Sequence, residues 1–292
     1  MTGLLNINKP SGMTSHDVVA IVRRIAHQRR VGHAGTLDPM ATGVLVVALG
    51  AATRVVEYVA DSAKSYRATL RFGVLTDTWD AEGQVIQERD ASGLTLAAIE
   101  AALPAFTGEI QQVPPMYSAL KRGGQPLYKL ARQGITVERE PRSVTIYRLV
   151  IEDWSPPDLT LRVDCSSGTY VRSLAYDLGQ ALGMGAHLTA LTRLAVGQFR
   201  LEDAVGLDEL QREAERGEWQ RHLLPMHLAL RHLPGIMVDE DTARRISFGQ
   251  AVVLDVQGDA NECYAYREGF LALLRRDPSD KLWHPSKVLL TL

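Results

Sequence analysis

The 292-residue sequence predicts an α+β fold. Three observations predict it. Residues 65–72 alternate strictly between apolar and polar, as a half-buried strand does. Two stretches, beginning at Thr14 and at Thr169 or Tyr170, carry apolar residues at helical spacing. Strands and helices then follow one another without a regular βαβ rhythm, which argues against a doubly wound sheet. The length accommodates a large domain followed by a small one. A hydrophobic content of 46% with 23% charged residues excludes a disordered or fibrous chain.

Each element has a local cause. Thr14 can cap a helix, Asp17 stands where a capping-box acid would, and Val18, Val22, Ile25 and Ala26 form the apolar side. A Gly-rich connection, Gly32 to Gly43, leads into Val44-Leu45-Val46-Val47-Ala48-Leu49, an unbroken apolar run expected as a fully buried strand. In 65–72, Tyr66, Ala68, Leu70 and Phe72 share the apolar face. Leu94 to Leu103 reads as a short helix. Residues 113–142 hold Pro114-Pro115, Gly123-Gly124, Pro126 and Gly134 among Lys121, Arg122, Lys129 and Arg132, and read as a long, basic, irregular insertion. Residues 144–151 and 159–165 read as strands. In the next helix Val171, Leu174, Ala175, Leu178, Ala181 and Leu182 face inward, Arg172 and Tyr176 lie off that stripe, and Gly183 is the stop. Residues 201–232 are acidic and helix-prone. After a break near Pro234-Gly235 comes a small β-rich unit, with a helix near Asp241–Phe248 and strands at Ala251–Leu254, Leu271–Leu274 and Lys287–Leu292.

The net charge of −2 hides a pattern. Residues 1–75 carry nine Lys/Arg against four Asp/Glu, and residues 113–150 carry seven against two. A polyanion responds to such local fields, so a nucleic-acid partner stays open beside ordinary solvated surface. The longest apolar run has six residues, far short of the ~18–20 of a membrane helix. The N-terminus has neither a basic leader nor an apolar h-region, and a cytoplasmic protein is expected. Cys165 and Cys263 are far apart and read as buried thiols. No P-loop, no GxGxxG after a strand and no metal-spaced Cys/His cluster occurs, so neither cofactor nor metal is expected.

The segment Gly32-His33-Ala34-Gly35-Thr36-Leu37-Asp38-Pro39-Met40-Ala41-Thr42-Gly43 sets a single acid among Gly and small residues, just before the buried strand. Small residues admit a large ligand to the backbone, and Pro39 restricts how Asp38 is presented. Taken alone, Asp38-Pro39 reads first as a turn start. The segment closely resembles the GHxGTLDPxATG signature of TruB-type pseudouridine synthases. Lys9-Pro10-Ser11-Gly12-Met13-Thr14-Ser15 resembles the family's KPxGxTS motif, and Lys64-Ser65-Tyr66-Arg67 its KxY(R) strand. Gly168-Thr169-Tyr170-Val171-Arg172 resembles GTYxR, and Gly185-Ala186-His187-Leu188 with Leu191-Thr192-Arg193-Leu194 resembles GAH…LxRxxxG. Five motifs in family order over residues 1–200 are highly specific. Ala34 and Met40 depart from the usual Thr and Leu without touching a catalytic position.

The resemblance implies a mixed-sheet catalytic domain over 1–232, with an RNA-clamping insertion at about 113–142, and a PUA-like RNA-binding domain over 233–292. It implies isomerisation of uridine to pseudouridine at position 55, in the T-loop of tRNA. It makes Asp38 the essential acid, Arg172 its partner, and Tyr66 the ring that stacks on the target base and helps with its C5 proton. Tyr170 and Leu191 would line the pocket, and Lys9 would stand at its wall, supporting Tyr170. His33 would fill the space the flipped base leaves. Lys121, Arg122, Lys129 and Arg132 would meet phosphates of the T-arm stem-loop. No membrane and no obligatory protein partner are implied, and a monomer is expected. Two other readings stand beside this one: a non-catalytic tRNA-binding or folding factor on the same scaffold, and a guide-dependent synthase of the dyskerin type.

Overall fold

The structure, a computed structural model, describes residues 1–118, 120–268 and 270–290, without the side chains of Lys121, Arg122 and Phe270. Among these residues one mixed sheet of ten strands forms the main body. Across it run Val205–Gly206, Gly3–Lys9, Thr42–Leu49, Ala186–Val196, Lys64–Phe72, Asp158–Cys165, Arg142–Ser155 and Gly108–Gln112. Val31–His33 joins Thr42–Leu49 and Phe199–Arg200 joins Ala186–Val196. The strand Thr42–Leu49 pairs antiparallel with Gly3–Lys9 and parallel with Ala186–Val196. The expected α+β class is what forms.

The apolar run Val44–Leu49 is buried on both faces. Val44, Val46 and Ala48 pack with Val55, Val196 and Met226, whereas Leu45, Val47 and Leu49 pack with Val18, Val22 and Trp219. That second face is covered by the helix Ser15–Ile25, whose start is the expected capping box. The Thr14 hydroxyl accepts from the Asp17 N–H, and Asp17 takes the Thr14 N–H at 2.9 Å. Asp17 consequently lies below the usual carboxylate range, held there by its hydrogen bonds to Thr14.

Lys64–Phe72 alternates as expected. Tyr66, Ala68, Leu70 and Phe72 pack against Val171, Leu174, Ala175 and Leu178 of the helix Val171–Ala181. Its other face carries Arg71, paired with Asp158 on the adjacent strand, and Arg67, paired with Glu152 on the strand beyond it. Ala181, at the rim of the helix stripe in its last turn, is exposed. Arg172 does not behave as an arginine off the stripe should: its side chain is 4% exposed. The segment 76–83 and the insertion cover that side of the helix, for reasons given below.

Several elements escape the sequence reading. Ala186–Val196 crosses the middle of the sheet, yet register shifts at Leu188/Ala190 and Arg193/Ala195 break its two-residue period. Gly3–Lys9 is buried on both faces and has no alternation to read. The insertion is less irregular than expected. Gly123 and Gly124, both at positive φ, turn a small hairpin of Lys121–Arg122 and Gln125–Pro126, and the helix Leu127–Ala131 follows.

The C-terminal unit is a four-stranded sheet ordered Gly235–Met237, Glu262–Arg267, Phe270–Arg276, Trp283–Leu290, with the helix Glu240–Ser247 on one face. Ala272 and Leu274 pack on that helix side, whereas Leu271 and Leu273 join the core beside Val44 and Val46. The expected strand Ala251–Leu254 shrinks to one bridge, Val252 to Trp283, because Val253 turns 80% exposed. The last expected strand starts earlier, at Trp283, and residues 291–292 lie outside the description.

In the main-body core Phe72 is 1% exposed and meets the partly buried Trp154 edge-on. Phe72→Ala is expected to lower the unfolding free energy by about 3–5 kcal/mol, read from the urea midpoint at unchanged m-value.

Candidate active site

The loop between Val31–His33 and Thr42–Leu49 is fastened carbonyl by carbonyl. Arg193, fully buried beneath it, donates through Nη2 to Gly35 at 3.1 Å, through Nη1 to Thr36 at 3.4 Å and through Nε to Val44 at 2.7 Å. Ser15 Oγ exchanges hydrogen bonds with Leu37 at 2.8 and 3.2 Å. The Gly12 N–H and Lys9 Nζ both reach the Pro39 carbonyl, at 2.9 and 3.1 Å. Ser11 Oγ donates to Met40 at 3.1 Å. Gly43 leads the chain out at φ +100°, where an added Cβ would fall 2.2 Å from the Arg193 carbonyl oxygen. Only glycine fits there. The result is a rigid loop from which the Asp38 side chain projects.

Lys9 therefore corrects its expected place. Its ammonium is fully buried and spends its hydrogen bonds on the carbonyls of Pro10, Met13 and Pro39. It ties the Asp38 loop to the N-terminal motif and presents nothing to a ligand; its bonds go to those carbonyls and not to Tyr170. Burial draws its pKa down to about 8.

Asp38 and Arg172 meet as a two-pronged pair. Arg172 Nε lies 3.0 Å from one carboxylate oxygen and Nη2 lies 3.1 Å from the other. The Asp38 side chain is 33% exposed, so one side of it opens to solvent while the arginine closes the other. Arg172 Nη1 also reaches a second carboxylate, Asp80, at 3.3 Å, and the Thr78 carbonyl at 3.3 Å. Its Nη2 donates to the Tyr117 carbonyl of the insertion at 2.8 Å. Burial pushes the Asp38 carboxyl up, Arg172 pulls it back, and the negative charge of Asp80 adds to the push. Asp80 is a site residue the sequence reading missed. Its signal was weak, one acid among several between residues 76 and 112.

Tyr66 stands at 7% exposure. Burial raises its phenol above the usual range, and Arg193 opposes that. Leu37, Leu191 and Val171 share its apolar cluster. Tyr170 caps the helix Val171–Ala181 without a side-chain cap bond. Its N–H donates to Gln112 Oε1 at 2.7 Å. Burial raises that phenol too, and the Asp38 charge reaches both tyrosines. Tyr66 and Leu191 thus share one apolar cluster, and the start of the helix Val171–Ala181 brings Arg172 to Asp38. Arg193 is the second residue missed: the motif Leu191-Thr192-Arg193-Leu194 contains it, but the sequence reading gave it no role.

The remaining expected residues lie apart from the pair. His33 is half-buried at the entry to the loop, edge-on to His16 with ring centres 5.4 Å apart. Burial lowers its pKa to about 4, so it is neutral at pH 7. Lys129 and Arg132 are exposed on and after the insertion's helix, Arg132 lying over Tyr128. The side chains of Lys121 and Arg122 fall outside the described residues. Two clusters carry metal-ligand side chains, Glu209 with Glu213 and His222, and Asp277 with Asp280 and His284. In the first, Glu213 is already engaged by Arg221 and His222.

A family model described as TruB family pseudouridylate synthase (N terminal domain) matches residues 23–171, and tRNA pseudouridylate synthase B C-terminal domain matches 172–231. The chain belongs to the TruB pseudouridylate synthase family. A tRNA pseudouridine synthase B of Dehalococcoides mccartyi strain BAV1 is 46% identical across 99% of this chain and 97% of its own length. The protein of the same name from Dechloromonas aromatica is 48% identical across 92% and 89%. Among solved structures, a Cbf5-Nop10-Gar1 complex matches with a TM-score of 0.76, at 26% identity over 99% of this chain and 85% of that one. An H/ACA RNP bound to a substrate RNA containing 2'-deoxyuridine matches at 0.74 and 25%, over 99% and 85%. The two TruB models meet at the first turn of the helix Val171–Ala181, inside the main body. Both stop before the C-terminal sheet. Among the described residues no helix is long and apolar enough to cross a membrane.

The unfolded chain protonates His33 near pH 6.5 and the folded chain only near pH 4. The stability this withholding contributes is complete above pH 6.5 and is lost as pH falls toward 4. His33→Gln is expected to flatten the fall of melting temperature over that interval. A slope identical to wild type would assign the titration to another group.

Proposed function

We propose that this protein isomerises uridine to pseudouridine in the T-loop of tRNA, at position 55. One arrangement carries the reading: a carboxylate partly exposed on one side and gripped by a buried guanidinium on the other. The reaction conserves atoms. The N1–C1′ bond breaks, the base turns, a C5–C1′ bond forms, C5 loses its proton and N1 gains one. Charge deficiency develops at the sugar when the base departs. Asp38 answers it, as a nucleophile at C1′ or as a base on a neighbouring sugar proton. Arg172 keeps that carboxylate ionised where burial disfavours the charge. Tyr66 lies against the base, with its hydroxyl serving the C5 proton. Tyr170 and Leu191 narrow the pocket around the base. The neutral ring of His33 suits a residue that fills the place of an everted nucleotide, and Lys9 acts only through the loop it fastens.

In this reading residues 1–232 form the catalytic domain and 233–292 a PUA-like RNA-binding domain. The insertion 113–142 clamps the T-arm stem-loop, with Lys121, Arg122, Lys129 and Arg132 on phosphates. The protein works in the cytoplasm as a monomer, without guide RNA or protein partner. The near-full-length relatives named tRNA pseudouridine synthase B support this over the guide-dependent reading. Release of tritium from C5-labelled uridine in a T-arm stem-loop, by the purified chain alone, is the direct test. Binding without release would favour the folding factor, and release only with a guide would favour the dyskerin type.

Asp38→Asn is expected to fold and bind the stem-loop while turnover falls more than about a thousandfold. Tyr66→Phe is expected to bind and slow by about 10²–10⁴-fold, and a near wild-type rate would remove its proton-transfer role. Neutralising Lys129 and Arg132 together is expected to lower the slope of log K against log salt by about one to two, measured by RNA binding titrations.

A further inference from the structure

The segment that supplies Asp80 is wound tightly. Thr76 Oγ donates to the Asp80 carbonyl at 2.7 Å, and Thr78 Oγ donates to the Asp80 carboxylate at 2.6 Å. The Glu82 N–H adds a third bond at 3.1 Å. At Gly83 an added Cβ would sit 2.3 Å from Thr78 Oγ and 2.4 Å from Asp77 Oδ1. Between Thr78 and Asp80 stands Trp79, at φ +63°. A bulky residue in the left-handed region is strained and persists only where its surroundings hold it. Two contacts do so. The Trp79 carbonyl accepts from the Leu188 N–H at 3.0 Å, and its indole stacks on Tyr176 at 4.1 Å and 16°.

A third contact comes from the insertion. The Arg139 guanidinium lies 5.7 Å from the centre of the Trp79 ring, while its Nη1 donates to the Pro114 carbonyl at 3.1 Å. Its buried Nε has no hydrogen-bond partner, so an aromatic face compensates part of its desolvation. The insertion also presents the Tyr117 carbonyl to Arg172, and Trp79's two neighbours present Thr78 O and Asp80 to the same guanidinium. Three of the four groups on Arg172 therefore follow from where Trp79 and the insertion sit. The fourth is Asp38.

We infer that Trp79 and Arg139 are positioning residues that couple the seating of the 113–142 insertion to the aim of Arg172 at Asp38. The inference rests on the roles given to Asp38 and Arg172 above. When the insertion lifts, Arg139 leaves the indole and Tyr117 leaves Arg172 together. Trp79 can then relax, and Asp80 turns from the guanidinium with it. The pocket is armed only while the insertion is closed.

The test compares Trp79→Gly, Trp79→Phe, Arg139→Gln, Arg139→Lys and the Trp79→Gly/Arg139→Gln double variant in the full chain. Turnover is read by tritium release from a T-arm stem-loop, and seating by hydrogen exchange across residues 113–142. Glycine accepts the left-handed backbone but removes the stack, and phenylalanine keeps the stack. Trp79→Gly and Arg139→Gln are each expected to lower kcat about tenfold and to speed exchange of the insertion, with the double variant no worse than the poorer single one. Trp79→Phe is expected to restore kcat to within about threefold of wild type, whereas Arg139→Lys, lacking the planar fork, restores less. Additive losses, or folded variants with unchanged kcat and exchange, would overturn the coupling. If Trp79→Gly does not fold, Trp79→Phe against Arg139→Gln decides. An inactive wild type would sink the functional reading instead, and the exchange comparison would still judge the coupling.

Discussion

The site depends on one buried guanidinium shared between two carboxylates. Arg172 is nearly sealed from water, and a lone charge in that position would be untenable. Asp38 and Asp80 neutralise it, and the carbonyls of Thr78 and Tyr117 take its remaining hydrogens. The planar fork matters here, because four acceptors from three separate segments converge on it. Lysine, a point charge on a flexible stem, could not hold them all in register. Two acids thus compete for one guanidinium, which lies nearer to Asp38 than to Asp80.

The opposite side of the Asp38 loop is organised by the same economy of means. Arg193 and Lys9 are cations buried among apolar strands, and both are satisfied by backbone oxygens. Each replaces a stretch of regular pairing that a loop cannot make. The N-terminal motif and the Leu-Thr-Arg-Leu motif are thus two halves of one clamp. Their separation in sequence reflects the sheet, which brings Gly3–Lys9, Thr42–Leu49 and Ala186–Val196 side by side.

Much of this was legible in the residues. The alternation around Tyr66, the unbroken run Val44–Leu49 and the capping box at Thr14 are local signals, and each produced its element. Asp38 and Arg172 were legible as a pair through motif resemblance, not through periodicity, which would leave Arg172 on the surface. Asp80 and Arg193 were not legible, because what distinguishes them is the company they keep after folding. The strand Ala186–Val196 was hidden by its bulges, and those bulges help set Arg193 beneath the loop. Lys9 was placed at the right wall with the wrong partner: its proximity followed the motif, but its hydrogen bonds could be counted only in three dimensions.

The clamp around the loop has a consequence for the order of assembly. Asp38 precedes the arginine beneath its loop, Arg193, by about a hundred and fifty residues. Before Arg193 is in place the loop has only the fastenings that Lys9, Ser11, Gly12 and Ser15 supply. The Asp38 loop therefore takes its full set of fastenings only when Ala186–Val196 has joined the main sheet.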